Sequence, residues 1–147
     1  MPEHRLAAIM FTDIVGYTAL MGRDEDQAFQ VLRINREIHD TVIKRYNGIL
    51  IKEMGDGILA SFGSASDAVR CALEIQEEAK AENISLRIGI HEGEVVYEGA
   101  DVLGDGVNVA SRLQELAEAG SIVISKSVYR EVKNKDGIFP AFIGEKI

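Results

Sequence analysis

Hydrophobic and polar positions change period several times along this chain, and each change marks an element. Residues 5–14 (RLAAIMFTDI) form an apolar run that ends in a polar pair and is bounded by Gly16. A short run of this kind reads as a buried strand, here delivering Asp13 to its C-terminal end. From Asp24 to Tyr46 the apolar residues Ala28, Val31, Leu32, Ile38, Val42 and Tyr46 recur at three- and four-residue steps. That spacing predicts an amphipathic helix, opened by acidic residues that suit the positive end of the helix dipole and closed by Asn47-Gly48. GILIKEM and GILASF flank Gly55-Asp56-Gly57. An Asp-Gly between two β-type runs predicts an antiparallel hairpin with Asp56 at its tip. Ser66 to Lys80 is helical by the same periodicity, with serine or aspartate available as its cap. ISLRIGIHEGEVVYEG predicts two strands around His91-Glu92-Gly93. Asp105 to Ala119 predicts a short amphipathic helix on Val107, Ala110, Leu113, Leu116 and Ala117, ended by Gly120. SIVIS follows as a strand and SVYREVKN as a short helix.

The order β-α-β-β-α-β, with additions, predicts an α+β fold: a ferredoxin-like βαββαβ core whose antiparallel sheet carries helices on one face, with additional C-terminal elements. Repeats, low-complexity runs and linkers are missing, so a single domain over residues 1–147 is expected. A chain of 147 residues, 46% hydrophobic and 27% charged, suits a soluble globular domain. Sixteen basic against 24 acidic residues leave a net charge of -8, which argues against a nucleic-acid partner held through phosphate neutralisation. Phosphates, if bound, are bound at a local site. The single cysteine, Cys71, lies in an apolar helical stretch and cannot form an intramolecular disulfide, which fits a reducing compartment. The longest apolar run, Leu6 to Phe11, is far too short for a membrane segment, and the N-terminus lacks the apolar stretch of a signal peptide. A cytoplasmic location is expected.

Two carboxylates stand out by position, Asp13 at the end of the first strand and Asp56 at the hairpin tip. If the first three strands are neighbours, both side chains emerge at one edge, where paired carboxylates with open positions suit magnesium or manganese. Each residue has a plainer use as well, Asp56 as a turn former and Asp13 as a cap. In Ile14-Val15-Gly16-Tyr17-Thr18, the glycine lets backbone amides approach a polyphosphate closely. Asn108 and Arg112 lie four apart on the predicted helix and project from one face. A carboxamide and a guanidinium so placed suit a ribose and a phosphoryl group gaining charge. Lys52, inside ILIKEM, is either an edge-strand charge that blocks aggregation or a ligand donor. His4, His39 and His91 are scattered and lack zinc-binding spacing.

FTDIVGYTALM (11–21), KEMGDG (52–57), IGIHEGEVV (88–96) and DVLGDGVNVASRL (101–113) together resemble the catalytic domain of the class III nucleotidyl cyclases, over essentially the whole chain. The resemblance implies conversion of a nucleoside triphosphate to its 3′,5′-cyclic monophosphate and pyrophosphate, with two divalent metal ions, Mg2+ or Mn2+, in sites formed between two such domains. By the same resemblance Asp13 and Asp56 match the metal-binding aspartates, with the Ile14 carbonyl as an extra ligand. Lys52 and Asp101 match a base-reading pair that recognises adenine, where guanylyl cyclases typically carry glutamate and cysteine. Asn108 matches the ribose-orienting residue and Arg112 the arginine that stabilises the transition state; Asp105 is expected as the helix N-cap. All six functional positions are filled, which implies an adenylate cyclase acting on ATP as a homodimer with two equivalent sites.

The resemblance leaves one departure and two rivals. In relatives a triphosphate-contacting lysine follows shortly after the motif that Phe142-Ile143-Gly144-Glu145 resembles, whereas this chain stops at Ile147; Lys146 is too close to Gly144 to replace it. The expected domain therefore ends short of the family's final strands. A catalytically silent, nucleotide-binding regulatory module is the alternative. A palm-type dinucleotide cyclase would carry a Gly-Gly-acidic-acidic-Phe-like hairpin, which Met54-Gly55-Asp56-Gly57-Ile58 is not.

Overall fold

The apolar run at the start of the chain is continuous because its strand is covered on both faces. In the computed structural model, which describes residues 3–138, this strand is β1 (Glu3–Ile14). Its even-numbered Ala8, Met10 and Ile14 join a large core, and its odd-numbered Ala7 and Ile9 join a smaller one. The elements that follow are α1 (Tyr17–Arg23), α2 (Glu25–Arg45), β2 (Ile49–Met54), β3 (Gly57–Phe62), α3 (Ala65–Ala81), β4 (Leu86–Glu98), β5 (Asp101–Leu103), α4 (Asp105–Leu116), β6 (Ile122–Ile124) and α5 (Lys126–Val132). The strands run β2-β3-β1-β4-β5 across one sheet, and β6 pairs with β4. Among the described residues only the β4–β6 pairing is parallel. The fold is thus α+β, and β4-β1-β3-β2 is the ferredoxin-like order.

The larger core lies under α2, α3 and α5, through residues such as Ile43, Ile75 and Val128. The smaller core holds Leu59, Val95, Val102 and Ala110, so α4 packs on the opposite face of the sheet. The expectation of helices on one face is corrected accordingly. Gly89 explains how α4 fits there. A Cβ on Gly89 would lie 2.2 Å from the Gln114 nitrogen and 2.6 Å from the Ala110 oxygen, so the backbones of helix and strand touch.

Three further local readings change. Residues 86–98 form one strand rather than two, because Gly93 is no turn: it pairs with Ala7, in unbroken register from Glu3↔Tyr97 to Ile14↔Leu86. A separate helix, α1, begins at Tyr17, ahead of the helix predicted from Asp24. Gly16 makes that start possible, with a φ of 77° that side chains with a Cβ adopt only at a cost. Asp105 is not a cap. The N-cap of α4 is Gly104, at a φ of 119°, and Asp105 occupies the first turn. The starts of α2 and α3 are capped by side chains, with Asp24 accepting from the Gln27 N–H and Ser64 from the Asp67 N–H. Phe142-Ile143-Gly144-Glu145 and Lys146 lie outside the described residues.

The terminal strands of the sheet path also meet. Lys52 Nζ on β2 donates to Asp101 Oδ2 on β5 at 3.3 Å. The accumulated twist of the strands therefore curls the sheet around the smaller core, and α4 covers the hollow.

Candidate functional site

Asp13 leaves the sheet one residue before the end of β1, on the face that α4 covers. Asp56 sits in the turn between β2 and β3. The β1–β3 pairing, which runs to Thr12↔Ile58, brings that turn beside the end of β1. Asp56 Oδ2 accepts the Ile14 N–H at 2.9 Å. The two carboxylates and the Ile14 peptide therefore form one group, with the Gly16-Tyr17-Thr18 start of α1 immediately after it. Hard oxygen donors of this kind suit Mg2+ or Mn2+. Among the described residues no group of three or more His, Cys, Asp or Glu side chains converges as a metal cage. An ion held by Asp13 and Asp56 would need its remaining ligands from substrate or water, which is how magnesium sites on phosphate substrates are built.

Arg87 completes this group. It lies opposite Asp13 in the β1–β4 register. Its Nε donates to Asp13 Oδ1 at 3.1 Å and its Nη2 to Oδ2 at 2.9 Å. The hydrogen bonds to Asp13, with the charges of Asp13, Asp56 and Glu115, raise the guanidinium pKa further above its ordinary value. Period-two alternation in LRIGIH sets Arg87 on the face opposite to Leu86, Ile88 and Ile90, and that signal would have found it.

A second group lies at the meeting of β2 and β5. Lys52, Asp101 and Asn108 border one side of the sheet curl, and Lys52 and Asn108 line a cleft of about 470 Å³ with Val102, Leu103, Gly104, Asp105 and Val107. The Val102 N–H, at 2.7 Å, and the Lys52 ammonium hold the Asp101 carboxyl below its ordinary pKa. Lys52 and Asp101 are each 41% exposed, so the pair is open to a ligand. Asn108 is exposed on α4, and Arg112, one turn later, is exposed outside the cleft. Among the described residues no ion pair engages Arg112. The structure thus gathers Asp13 and Asp56 into one group and Lys52, Asp101 and Asn108 into another, with Arg112 in neither.

Two other polar features serve packing. A larger groove of about 940 Å³ runs along α3 and contains none of the expected residues. Its Gln76 amide is spent on the Leu86 and Ser121 carbonyls. His91 Nδ1 is 2.8 Å from Ser125 Oγ, tying β4 to the end of β6.

The sequence profile of the adenylate and guanylate cyclase catalytic domain family matches residues 1–141. The chain belongs to this cyclase family. A Rhizobium meliloti (strain 1021) protein called "Putative adenylate cyclase 3" is 38% identical over 145 residues, covering 92% of this cyclase domain and 25% of the relative. The domain thus spans about a quarter of that protein's length. An adenylate/guanylate cyclase/hydrolase structure from Silicibacter pomeroyi is 37% identical with a TM-score of 0.90, over 98% of this chain and 89% of that one. The catalytic core of a rhodopsin-guanylyl cyclase with converted specificity, solved with ATPalphaS, is 30% identical with a TM-score of 0.85, over 90% and 84%. Within the described residues of this cyclase domain no helix is long and apolar enough to cross a membrane.

Proposed function

We propose that this domain is an adenylate cyclase that converts ATP to 3′,5′-cyclic AMP and pyrophosphate in sites completed by a second copy of the chain. The observation that carries the reading is the separation of the two groups. Asp13 and Asp56 stand at the end of β1, while Lys52, Asp101 and Asn108 stand at the β2–β5 meeting, with Arg112 on the outer face of α4. A two-fold symmetric pair of domains would bring one chain's first group to the other chain's second group, twice over.

In that arrangement Lys52 donates to the adenine N1 and Asp101 accepts from its N6 amino group. Guanine presents the opposite pattern and leaves both groups mispaired. Asn108 orients the ribose, and Arg112 neutralises the charge that develops on the reacting phosphoryl group. The free amides that open α1 after Gly16 face the polyphosphate. Bound between the Asp13 and Asp56 carboxylates, two divalent cations would activate the ribose 3′-hydroxyl and offset the charge of the triphosphate. The rhodopsin-guanylyl cyclase core solved with ATPalphaS supports an adenine nucleotide on this fold.

The test is incubation of the purified chain with ATP or GTP and either Mg2+ or Mn2+, followed by product identification. Cyclic AMP is expected, with ATP preferred roughly tenfold or more, since a buried mispaired polar group costs about 1–3 kcal/mol. Nucleotide binding without metal-dependent product would leave the regulatory module as the reading.

A further inference from the structure

Arg87 is not among the residues assigned above, yet its guanidinium grips one of the two candidate cation ligands. Its fork occupies both oxygens of Asp13, at 3.1 and 2.9 Å. Asp56 Oδ2 is committed at the same time to the Ile14 N–H. A carboxylate that accepts two parallel hydrogen bonds from one guanidinium has about two of its four lone-pair directions filled and its charge already paired. A divalent cation therefore competes with the guanidinium for Asp13 while the fork stays closed. The charged groups facing Arg87 come from three further elements, Asp13 on β1, Asp56 in the hairpin turn and Glu115 on α4, and all are acidic. Asp13 and Asp56 would repel one another without a positive charge between them.

We propose that Arg87 is the resident counter-ion of this site, holding Asp13 in the nucleotide-free chain and competing with a divalent cation for its oxygens. Arg87 thereby sets the threshold for cation loading, a role that rests on the reading of Asp13 and Asp56 as cation ligands. The exchange is feasible because the pair is within reach of water, with side chains 35% and 23% exposed for Arg87 and Asp13. Glu115 offers the released guanidinium another carboxylate to face.

The experiment is a Mn2+ titration of the nucleotide-free chain, with free Mn2+ read by electron paramagnetic resonance and Asp13→Asn as the reference that removes the ligand. Arg87→Gln should bind Mn2+ about three- to tenfold more tightly than the parent, the range expected when a half-exposed ion pair no longer competes. Arg87→Lys keeps the charge but cannot bridge both oxygens, and should fall between the two. If Arg87→Gln and Arg87→Lys bind no more tightly than the parent, while Asp13→Asn abolishes binding, the counter-ion role is overturned and the cation ligands stand. If Mn2+ binding is independent of Asp13 in every variant, both readings fail together.

Discussion

Asp56 and Ile14 are joined by a single hydrogen bond, from the Ile14 N–H to Asp56 Oδ2 at 2.9 Å. The β2–β3 turn is thereby pinned to the strand that carries Asp13, and the spacing of the two carboxylates does not depend on a bound ligand. Under the proposed function Asp56 has two separable duties as a result. Asp56→Asn keeps an oxygen for the Ile14 N–H, whereas Asp56→Ala loses it. Both variants should lose cation-dependent turnover. Only the alanine variant should also melt lower, by roughly 2–4 °C for a lost bond worth about 1 kcal/mol. Equal melting temperatures in the two variants would show that the tie adds nothing to stability.

Acid should destabilise the fold through His39. This side chain is fully buried, with Nδ1 against the Asn35 carbonyl and Nε2 against Thr12 Oγ1, both at 2.8 Å. Burial lowers its pKa from 6.5 to about 4. Between those values the unfolded chain binds a proton that the folded chain does not. Stability is therefore complete above pH 6.5, falls as pH drops through the window, and levels off below pH 4, by about 3 kcal/mol in all. Thermal melts across this range should show the slope in the parent. The Thr12→Val/His39→Leu double variant removes both partners and should flatten it.

Gly89→Ala should loosen α4. The new methyl would meet helix backbone, which cannot rotate away as a side chain would. A loss of about 1–3 kcal/mol is expected in chemical denaturation, together with lower turnover as Asn108 and Arg112 shift. Mn2+ binding through Asp13 should survive, and its loss would mean that the damage is global.

Exchanging the base readers tests their assignment. Lys52→Glu with Asp101→Cys should move preference from ATP toward GTP. Because both native side chains are 41% exposed, breaking the pair should leave the fold intact. A folded double variant that still prefers ATP would remove both residues from base recognition.

Complementation tests the shared site. Asp13→Ala and Arg112→Ala chains should each be inactive or nearly so, since loss of a transition-state donor typically costs about 10²–10³ in rate. Mixed and allowed to exchange, they should recover activity from the one site per dimer that keeps every native residue. A mixture that stays inactive despite demonstrated heterodimers would require each chain to carry its own chemistry.

Local signals in the sequence reach as far as local geometry does. The Asp-Gly hairpin and the acidic start of α2 were legible because a turn and a helix end are decided by neighbouring residues. His91-Glu92-Gly93 misleads because glycine also serves inside strands, and here the partner β1 is long enough to carry β4 straight through. The placement of α4 depends on Gly89, a residue whose importance shows only when a helix lies on it. The contact of Lys52 with Asp101 depends on sheet curvature, which no period in the sequence encodes. Arg87 was legible in principle, as the polar position of an alternating strand directly across from Asp13.

The backbone contact at Gly89 also separates what holds α4 from what α4 presents. Gly106, Ala110 and Gln114 face inward, and Asp105, Asn108, Arg112 and Glu115 are exposed. Exposed helix positions of this kind usually tolerate substitution within about 0.5 kcal/mol. The outer face of α4 can therefore be rewritten with little risk to folding. That makes it an interchangeable cassette, on which new phosphoryl or ribose contacts could be selected while the inward face keeps the helix in register.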